Sequence, residues 1–328
     1  MSPVVSVILP AYNSSQTILD AIESINQQTF TDWELLVIDD ASEDNTVEII
    51  KQLKSEKVRI ITLPKNMGYP SAMNIGIKAS KGRFIARMDS DDICSPIRLQ
   101  TQLDTLRLFP QVSFCGLVYF EITPGGKAFI KKDISDQQYI FETWDVLMSY
   151  RKYFADPSVM VEKSRILAVG GYRTFQRMTM DVDLWFRLME HYGPCITVTQ
   201  PMYGKRFRPD SIIFSPQAPL LKQIPRVLAQ QRKENGIDDI ELGNTVCTEE
   251  YIQKSRIINK VKIIHLLCRA LVICIWLKDV KGTLLYWNNI IKIAEPGIRS
   301  RLRVIRTIIK KYRRRDNNKY EQYNWSFD

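Results

Sequence analysis

The chain has 328 residues, of which 45% are hydrophobic and 25% are charged, a composition typical of a globular protein that excludes a disordered or collagen-like chain. Its net charge of +10 is uneven, because residues 221–328 hold 22 Lys and Arg against 11 Asp and Glu, whereas residues 1–220 hold 24 against 25. A protein that binds nucleic acid over its whole surface would be basic throughout, so we expect no nucleic-acid partner.

Strands and helices are predicted to alternate over the first 120 residues. Apolar runs rich in β-branched residues predict strands at 4–9, 35–38, 58–62, 84–88 and 112–120. Helical periodicity between these runs predicts helices at 17–26, 46–53, 71–79 and 96–108. Continuous apolar strands separated by helices are typical of a doubly wound α/β sheet that is covered on both faces.

The pattern is more mixed beyond residue 120. It predicts a helix at 144–152, a strand at 158–161 and a helix at 182–191. Near residue 215 a proline-bearing boundary leads into a helical, basic region. We therefore expect an α/β domain over 1–215, with halves of about 1–120 and 121–215, followed by a helical basic region over 216–328.

The cysteines show neither a CxxC pair nor the spacing of a disulfide framework. They are Cys94, Cys115, Cys195, Cys247, Cys268 and Cys274. The first residues lack the basic segment and cleavage site of a secretory signal. We expect reduced cysteines that act as small buried hydrophobes, and a cytoplasmic protein.

Polar segments follow three of the predicted strands. They read PAYN after the first strand, DDASEDNT after the second and DSDD after the fourth. Ligands of such sheets bind at the carboxyl ends of the strands, so these segments predict a binding site. Neither GxGxxG nor GxxxxGK[ST] is present, so a glycine-rich phosphate loop is not expected.

Asp89, Asp91 and Asp92 lie within four positions directly after a predicted strand. Like charges so close together repel and raise each other's pKa. A divalent cation would relieve this repulsion, and carboxylate oxygens suit Mg²⁺ or Mn²⁺. The alternative is that these residues cap the helix near Pro96, which requires one aspartate rather than three.

The remaining carboxylates at predicted element ends have two interpretations each. Asp39 and Asp40 either cap the helix near Thr46 or accept hydrogen bonds from a nucleobase or ribose. Asp181 precedes a helix, where an ionised carboxylate is favourable. It is either a helix cap or a general base.

Five segments in order resemble the family 2 glycosyltransferases, inverting enzymes of GT-A fold that use nucleotide sugars. They read VSVILPAYNSSQTILDAIESINQQTF, WELLVIDDASEDNT, NMGYPSAMNIGIKASKGRFIARMDSDD, GGYR and MDVDLWFRL. One such segment is weak evidence, whereas five in this order are highly specific. The resemblance covers about residues 4–215 and implies a Rossmann-like mixed sheet of GT-A type.

The resemblance also implies roles for individual residues. The nucleotide sugar would contact Pro10, Tyr12, Asn13, Asp39, Asp40, Asn66, Gly68, Asn74, Asp89 and Ser90. Mn²⁺ or Mg²⁺ would be held by Asp89, Asp91 and Asp92, and Asp181 would be the catalytic base. The acceptor side would comprise Gly171, Tyr172, Asp183, Trp185, Asp156 and Arg208.

Four positions depart from the family pattern. Met180 replaces the glutamate before the base, and Asp156 replaces the histidine of an HPSV segment. Met73 replaces the arginine of ARNxG, and Arg208 stands where many relatives carry a histidine. These departures leave the donor half of the pattern intact and alter the acceptor half.

The basic C-terminal region lies outside the resemblance. Residues 298–312 repeat apolar residues on one helix face with Arg and Lys around them, and residues 261–277 are too short and too charged to span a bilayer well. These helices either pack on the domain or on a second copy of the chain, or lie on an anionic membrane surface.

Together these features predict a metal-dependent inverting glycosyltransferase that uses a nucleotide sugar, with a UDP-sugar favoured. The acceptor would be a lipid-linked or growing cell-surface glycan, such as capsule or lipopolysaccharide, at the inner face of the membrane. The alternatives are a sugar nucleotidyltransferase, which usually shows a glycine-rich segment after its first strand, and a non-catalytic scaffold on the same fold.

Overall fold

The structure is a computed structural model that describes residues 2–131, 135–149, 152–175, 179–207, 224–243 and 320–323, with short pieces between 271 and 287. The described residues form two compact units. The first comprises residues 2–119 and 135–205, and the second comprises 120–131, 206–207 and the described residues from 224 onward. The predicted boundary near residue 215 stays a prediction, since it lies outside the described residues.

Strands and helices alternate along the first unit as predicted. The elements to residue 122 are β1 (Val5–Ala11), α1 (Ile18–Asn26), β2 (Trp33–Asp39), α2 (Thr46–Gln52), β3 (Val58–Thr62), α3 (Tyr69–Ala79), β4 (Phe84–Arg87), β5 (Ile93–Cys94), α4 (Arg98–Leu108) and β6 (Cys115–Ile122). Then follow β7 (Ala128–Lys131), β8 (Tyr139–Glu142), α5 (Trp144–Met148), β9 (Met160–Glu162), α6 (Lys163–Ala168), α7 (Met180–Tyr192), β10 (Cys195–Arg206), α8 (Ile224–Asn235) and β11 (Tyr320–Gln322).

The sheet of the first unit is mixed. β1 pairs in parallel with β2 and with β4, and β2 pairs in parallel with β3. β9 runs antiparallel between β4 and β6. The strand order is therefore β6-β9-β4-β1-β2-β3, and the predicted mixed α/β fold class is confirmed.

The central strands are parallel and buried because their sequences are apolar on both faces. Every residue of β1 and of β2 is buried. Gly76 lets α3 approach β1 closely, since a Cβ at this position would lie 2.6 Å from Ile8 Cγ2. Among the described cysteines, Cys94, Cys115, Cys195 and Cys274 are free and buried, which fits the prediction that they act as small hydrophobes.

Several element boundaries differ from the predicted ones. The helix predicted at 144–152 ends at Met148. The strand predicted from residue 158 begins at Met160, because a 3₁₀ turn with Pro157 in its first turn occupies Asp156–Ser158. α7 begins at Met180, two residues before the apolar periodicity indicates, so that Asp181 and Asp183 lie in its first turn.

The second unit holds the end of β6, with β7, α8 and β11. β7 pairs antiparallel with β6 and with β11, and the Gly125 amide donates a 2.9 Å hydrogen bond to Asp279 Oδ2. Among the helices that the structure describes, none has the length and apolar character needed to cross a bilayer. The basic helix predicted over 298–312 lies outside the described residues.

Candidate active site

The three predicted polar segments meet at one edge of the sheet. β1 ends at Ala11, which is paired with Asp39 at the end of β2. Ile8 of β1 is paired with Arg87 at the end of β4. Because these strands are parallel neighbours, the residues that follow their carboxyl ends lie side by side. The segments 12–14, 39–42 and 88–92 therefore form the candidate active site.

Asp89, Asp91 and Asp92 form a compact carboxylate cluster. One oxygen from each residue lies within 4.8 Å of the others. Burial raises the pKa of Asp89 to about 6, and the neighbouring Asp91 contributes to the rise while Arg87 opposes it. Crowded carboxylates in a partly buried site are the hard oxygen ligands that Mg²⁺ and Mn²⁺ prefer, so the residues present fit a divalent cation.

Two tyrosines hold this cluster in place. Tyr203 Oη donates a 2.8 Å hydrogen bond to Asp92 Oδ2 and accepts a 3.3 Å hydrogen bond from the Asp89 amide. Tyr69 Oη donates a 3.2 Å hydrogen bond to Asp89 Oδ1. Asp92 is 2% exposed and so depends on Tyr203 within the fold. The cluster has the supporting contacts expected of an ordered site rather than of a surface loop.

Neither Asp39 nor Asp40 caps α2. Asp40 accepts hydrogen bonds from the backbone amides of Met67 (2.7 Å) and Gly68 (2.8 Å), and so fixes the turn that enters α3. Asp39 accepts weaker bonds of 3.3 and 3.4 Å from the Ser42 amide. The capping alternative therefore does not account for these two residues, and their contact with a nucleotide stays a prediction.

The loop after β1 is fixed to the loops after β2 and β4. Asn13 has a φ of 50°, and its Oδ1 accepts a 2.8 Å hydrogen bond from the Glu43 amide. Ser14 Oγ lies 2.7 Å from Ser90 Oγ. Tyr12 is 45% exposed and offers an aromatic face to a ligand, whereas Pro10 is buried in β1. Asn66 is exposed on the turn before α3.

Asp181 lies in the first turn of α7 and faces Arg87. Its Oδ2 is 3.7 Å from Arg87 Nη1, and its Oδ1 accepts a 2.9 Å hydrogen bond from the Val182 amide. Burial raises the pKa of Asp181, and the nearby Asp156 raises it further, whereas Arg87 and Lys152 oppose the rise. A carboxylate with a raised pKa at the edge of a site has the properties of a general base.

Arg87 is a buried cation between the carboxylate cluster and Asp181. Its Nη1 donates a 2.8 Å hydrogen bond to the Asp156 carbonyl, and its Nη2 donates to Tyr69 Oη. The rings of Tyr69, Tyr172 and Trp185 surround the guanidinium at 5.4, 5.8 and 5.4 Å. Through Tyr69, Arg87 is linked to Asp89 as well as to Asp181.

Asp156 belongs to a second charged group beside Asp181. Its carboxylate pairs with Lys152 Nζ and accepts a 2.9 Å hydrogen bond from Trp185 Nε1. Although burial alone would raise the pKa of Asp156, the ammonium of Lys152 holds it below its ordinary value. Trp185 is completely buried and contacts both Asp156 and the Arg87 guanidinium, and its place on the acceptor side stays a prediction.

Asp183 and Asn74 position the loop that carries Gly171 and Tyr172. Asp183 binds Arg187 at 2.8 Å, and Arg187 in turn donates a 2.8 Å hydrogen bond to the Gly171 carbonyl. Asn74 accepts from the Tyr172 amide at 2.9 Å and donates to the Tyr172 carbonyl at 2.7 Å. Asp183 thereby connects α7 to this loop through Arg187, and Asn74 and Tyr172 hold each other, while the acceptor-side roles of these residues stay predictions.

Sequence reasoning missed several residues of the site. They are Tyr69, Arg87, Lys152, Tyr203 and Lys205. Arg87 had a signal, because it is a charge inside an otherwise apolar strand. Arg208 lies outside the described residues, and the two methionines that depart from the family pattern, Met73 and Met180, are both buried.

Comparisons with known proteins identify the family of this chain. The family model described as Glycosyl transferase family 2 matches residues 6–177. EpsE of Bacillus subtilis (strain 168) is 30% identical over 219 residues, which are 65% of this chain and 75% of that protein. The UDP-Glc:alpha-D-GlcNAc-diphosphoundecaprenol beta-1,3-glucosyltransferase WfgD of Escherichia coli is 39% identical over 110 residues, which are 34% of this chain and 43% of WfgD.

Solved structures show the same fold. The crystal structure of S. aureus TarS 1–349 in complex with UDP-GlcNAc has a TM-score of 0.58 and 15% identity, covering 96% of this chain and 92% of that chain. The complex of TarS 1–349 with UDP has a TM-score of 0.56 and 15% identity, covering 95% and 89%. At this identity the likeness concerns the fold alone.

Proposed function

The chain belongs to glycosyltransferase family 2, and we propose that it transfers a sugar from a nucleotide-diphosphate sugar to an acceptor hydroxyl in a metal-dependent, inverting reaction. One observation carries this proposal: the buried Arg87 is linked to Asp89 of the carboxylate cluster through Tyr69 and lies 3.7 Å from Asp181. This link connects the candidate metal ligands with the candidate base, which supports their acting together in a single displacement.

The donor is proposed to be a UDP-sugar. The candidate contacts are the exposed ring of Tyr12 and the carboxylates Asp39 and Asp40 at the ends of β1 and β2. Structures of similar fold are solved with UDP and with UDP-GlcNAc, and WfgD carries UDP-Glc in its name. These likenesses support the nucleotide, whereas they leave the sugar open.

The carboxylates Asp89, Asp91 and Asp92 would hold Mn²⁺ or Mg²⁺ in this site. Such a cation, when bound, stabilises negative charge on the departing diphosphate as a Lewis acid. The protein itself orders the carboxylates that would bind the cation, since Tyr203 donates a hydrogen bond to Asp92 and Tyr69 donates one to Asp89. With a cation held there, the repulsion among the three carboxylates would be relieved.

Asp181 is proposed to act as the base. The acceptor oxygen forms a bond with the anomeric carbon while the bond from that carbon to the diphosphate oxygen breaks, and the electron pair leaves with the nucleoside diphosphate. The proton of the acceptor hydroxyl passes to the Asp181 carboxylate. One displacement inverts the anomeric centre and requires no covalent sugar–enzyme intermediate.

The acceptor is proposed to be a lipid-linked or growing cell-surface glycan. WfgD is named for an acceptor that carries a diphosphoundecaprenol group, and another relative, AmsE of Erwinia amylovora, is named for amylovoran biosynthesis. The basic residues of 221–328 would suit an anionic inner membrane surface. We therefore propose a peripheral location there.

Family membership favours this reaction over the alternative of a sugar nucleotidyltransferase. Even a paired buried charge costs desolvation free energy that apolar side chains of similar volume would avoid, so a non-catalytic scaffold would have no physical need for the buried charges at the site. Arg87 and Asp181 are such charges, with side chains 3% and 18% exposed.

A thermal-stability panel tests the donor site. The purified chain is melted with UDP, GDP, TDP or CDP, each with and without Mn²⁺ or Mg²⁺. A ligand present at about 100 times its dissociation constant stabilises the native state by about 2.7 kcal/mol, which raises the melting temperature measurably. We expect a shift with UDP that requires the cation. The absence of a shift with every nucleotide would contradict the proposal.

A further inference from the structure

β10 brings a lysine to the carboxylate cluster from a distant part of the sequence. β10 pairs antiparallel with β5, with Tyr203 opposite Cys94 and Gly204 opposite Ile93. This register places Tyr203 Oη 2.8 Å from Asp92 Oδ2, although 111 residues separate them along the chain. Side chains alternate along a strand, so Lys205 lies on the same face of β10 as Tyr203, whose hydroxyl contacts the cluster.

Lys205 is half-buried beside this cluster. Burial lowers the pKa of its ammonium, whereas the neighbouring Tyr119 and the carboxylates Asp92, Asp156 and Asp89 together raise it above its ordinary value. The other cations near the site have direct partners, since Arg87 binds Tyr69 and Lys152 pairs with Asp156. Among the residues that the structure describes, none forms a hydrogen bond or ion pair with Lys205 Nζ. The Lys205 ammonium is therefore available to bind a ligand at the site.

Binding of a donor adds negative charge to a site that is already rich in carboxylates, so a further cation would stabilise the complex. The three carboxylates of the cluster together outweigh the charge of one divalent cation, and a diphosphate adds further negative charge, which increases as it leaves. A lysine ammonium is a compact point charge that binds phosphate oxygens well.

We propose that Lys205 binds the β-phosphate of the donor and stabilises the departing nucleoside diphosphate. This inference rests on the proposed function, because it takes the donor to be a nucleotide-diphosphate sugar. The rival explanation is that Lys205 serves only as a counter-charge for Asp92 and Asp89 within the fold. The two explanations differ in what they predict for ligands that have or lack a β-phosphate.

Calorimetric titration of the protein with UDP and with UMP, both in the presence of Mn²⁺, distinguishes the two explanations. For Lys205→Met we expect the dissociation constant for UDP to rise about tenfold or more, which corresponds to the loss of a charge-assisted hydrogen bond. The dissociation constant for UMP should change less than about threefold, because UMP has no β-phosphate. Lys205→Arg should recover part of the UDP affinity. Lys81→Met is the matched control, because Lys81 is exposed just before the start of β4, at the opposite edge of the sheet.

Three results would overturn the inference. Equal weakening of UDP and UMP would indicate a structural counter-charge, and unchanged UDP binding by Lys205→Met would exclude contact with the β-phosphate. Both leave the proposed function intact, because the wild-type chain still binds UDP. Failure of the wild-type chain to bind any of the four nucleoside diphosphates would reject the proposed function together with this inference.

Discussion

Arg87 Nη1 lies 3.7 Å from Asp181 Oδ2, and both side chains are largely buried, with 3% and 18% of their surface exposed. This contact joins the end of β4 to the first turn of α7. It thereby connects the strand that leads into the carboxylate cluster with the helix that carries the candidate base. The position of α7 relative to the carboxylate cluster depends on this guanidinium.

Arg87→Met should destabilise the protein and change its pH dependence. Removing one partner of a buried pair typically lowers the free energy of unfolding by about 3–5 kcal/mol. Because Arg87 opposes the rise in the pKa of Asp181, its loss raises that pKa further. The base must be ionised, so the acidic limb of the kcat/KM profile moves to higher pH. Arg87→Lys should shift the limb less, and an unmoved limb in Arg87→Met would contradict the contact.

Asp183 is predicted to be a positioning residue. Its carboxylate is completely buried and binds Arg187 at 2.8 Å. Asp183→Ala leaves the Arg187 guanidinium buried without its anion, and urea unfolding should show a loss of about 3–5 kcal/mol. The control is Asp104→Asn on the exposed surface of α4, which should change stability by less than about 0.5 kcal/mol. Equal effects of the two variants would contradict this role.

Gly171 and Gly170 offer a matched pair of substitutions. Both have positive φ, 69° and 81°, so alanine strains the backbone at either position. A Cβ at Gly171 would lie 2.7 Å from Asn74 Oδ1, whereas a Cβ at Gly170 meets nothing within 4 Å. Gly171→Ala should therefore lower the melting temperature more than Gly170→Ala does. Equal melting temperatures would show that Asn74 does not hold this loop.

Site residues could be predicted from the sequence where the signal lies in neighbouring residues, and could not be predicted where it depends on contacts between distant parts of the chain. Asp89, Asp91 and Asp92 could be found because they follow an apolar strand directly. Asp181 could be found because it precedes an amphipathic helix. Both signals are local, because the periodicity of apolar residues in a short segment indicates whether it forms a buried strand or an amphipathic helix.

The supporting residues could not be found in this way. Tyr203 reaches Asp92 across 111 residues through strand pairing, and no local pattern encodes that register. The strand predicted at 158–161 overlaps β9, which has three residues. No local pattern shows that this strand runs antiparallel between β4 and β6. The hydrogen bond from Trp185 Nε1 to Asp156 likewise required the three-dimensional structure.

Glu34 provides a test of the fold that is independent of the site. Although burial alone would raise its pKa, hydrogen bonds from Ser6, the Lys81 amide and Arg59 hold the pKa of Glu34 below its ordinary value of 4.5. The two shorter bonds, from Ser6 Oγ and the Lys81 amide to Oε1, are each 2.6 Å.

A carboxylate with a lowered pKa stabilises the folded state above its unfolded pKa, and this contribution is lost as the pH falls through the folded value. Glu34→Gln should therefore cost about 1 kcal/mol at pH 7 and progressively less as the pH falls below about 4.5. Denaturant unfolding at several pH values measures this difference. A pH-independent difference would contradict the prediction, and nucleotide binding should be unchanged.

Asp181→Asn tests the central claim most directly. The substitution keeps the shape of the side chain and removes its ability to accept a proton. Release of the nucleoside diphosphate from its sugar donor is measured for the wild-type chain, for Asp181→Asn and for Asp104→Asn as the exposed control. We expect the turnover of Asp181→Asn to fall by about 10²–10⁴-fold while its affinity for UDP with Mn²⁺ stays within about threefold. Turnover at the wild-type rate in Asp181→Asn would contradict the assignment of Asp181 as the base and with it the proposed mechanism.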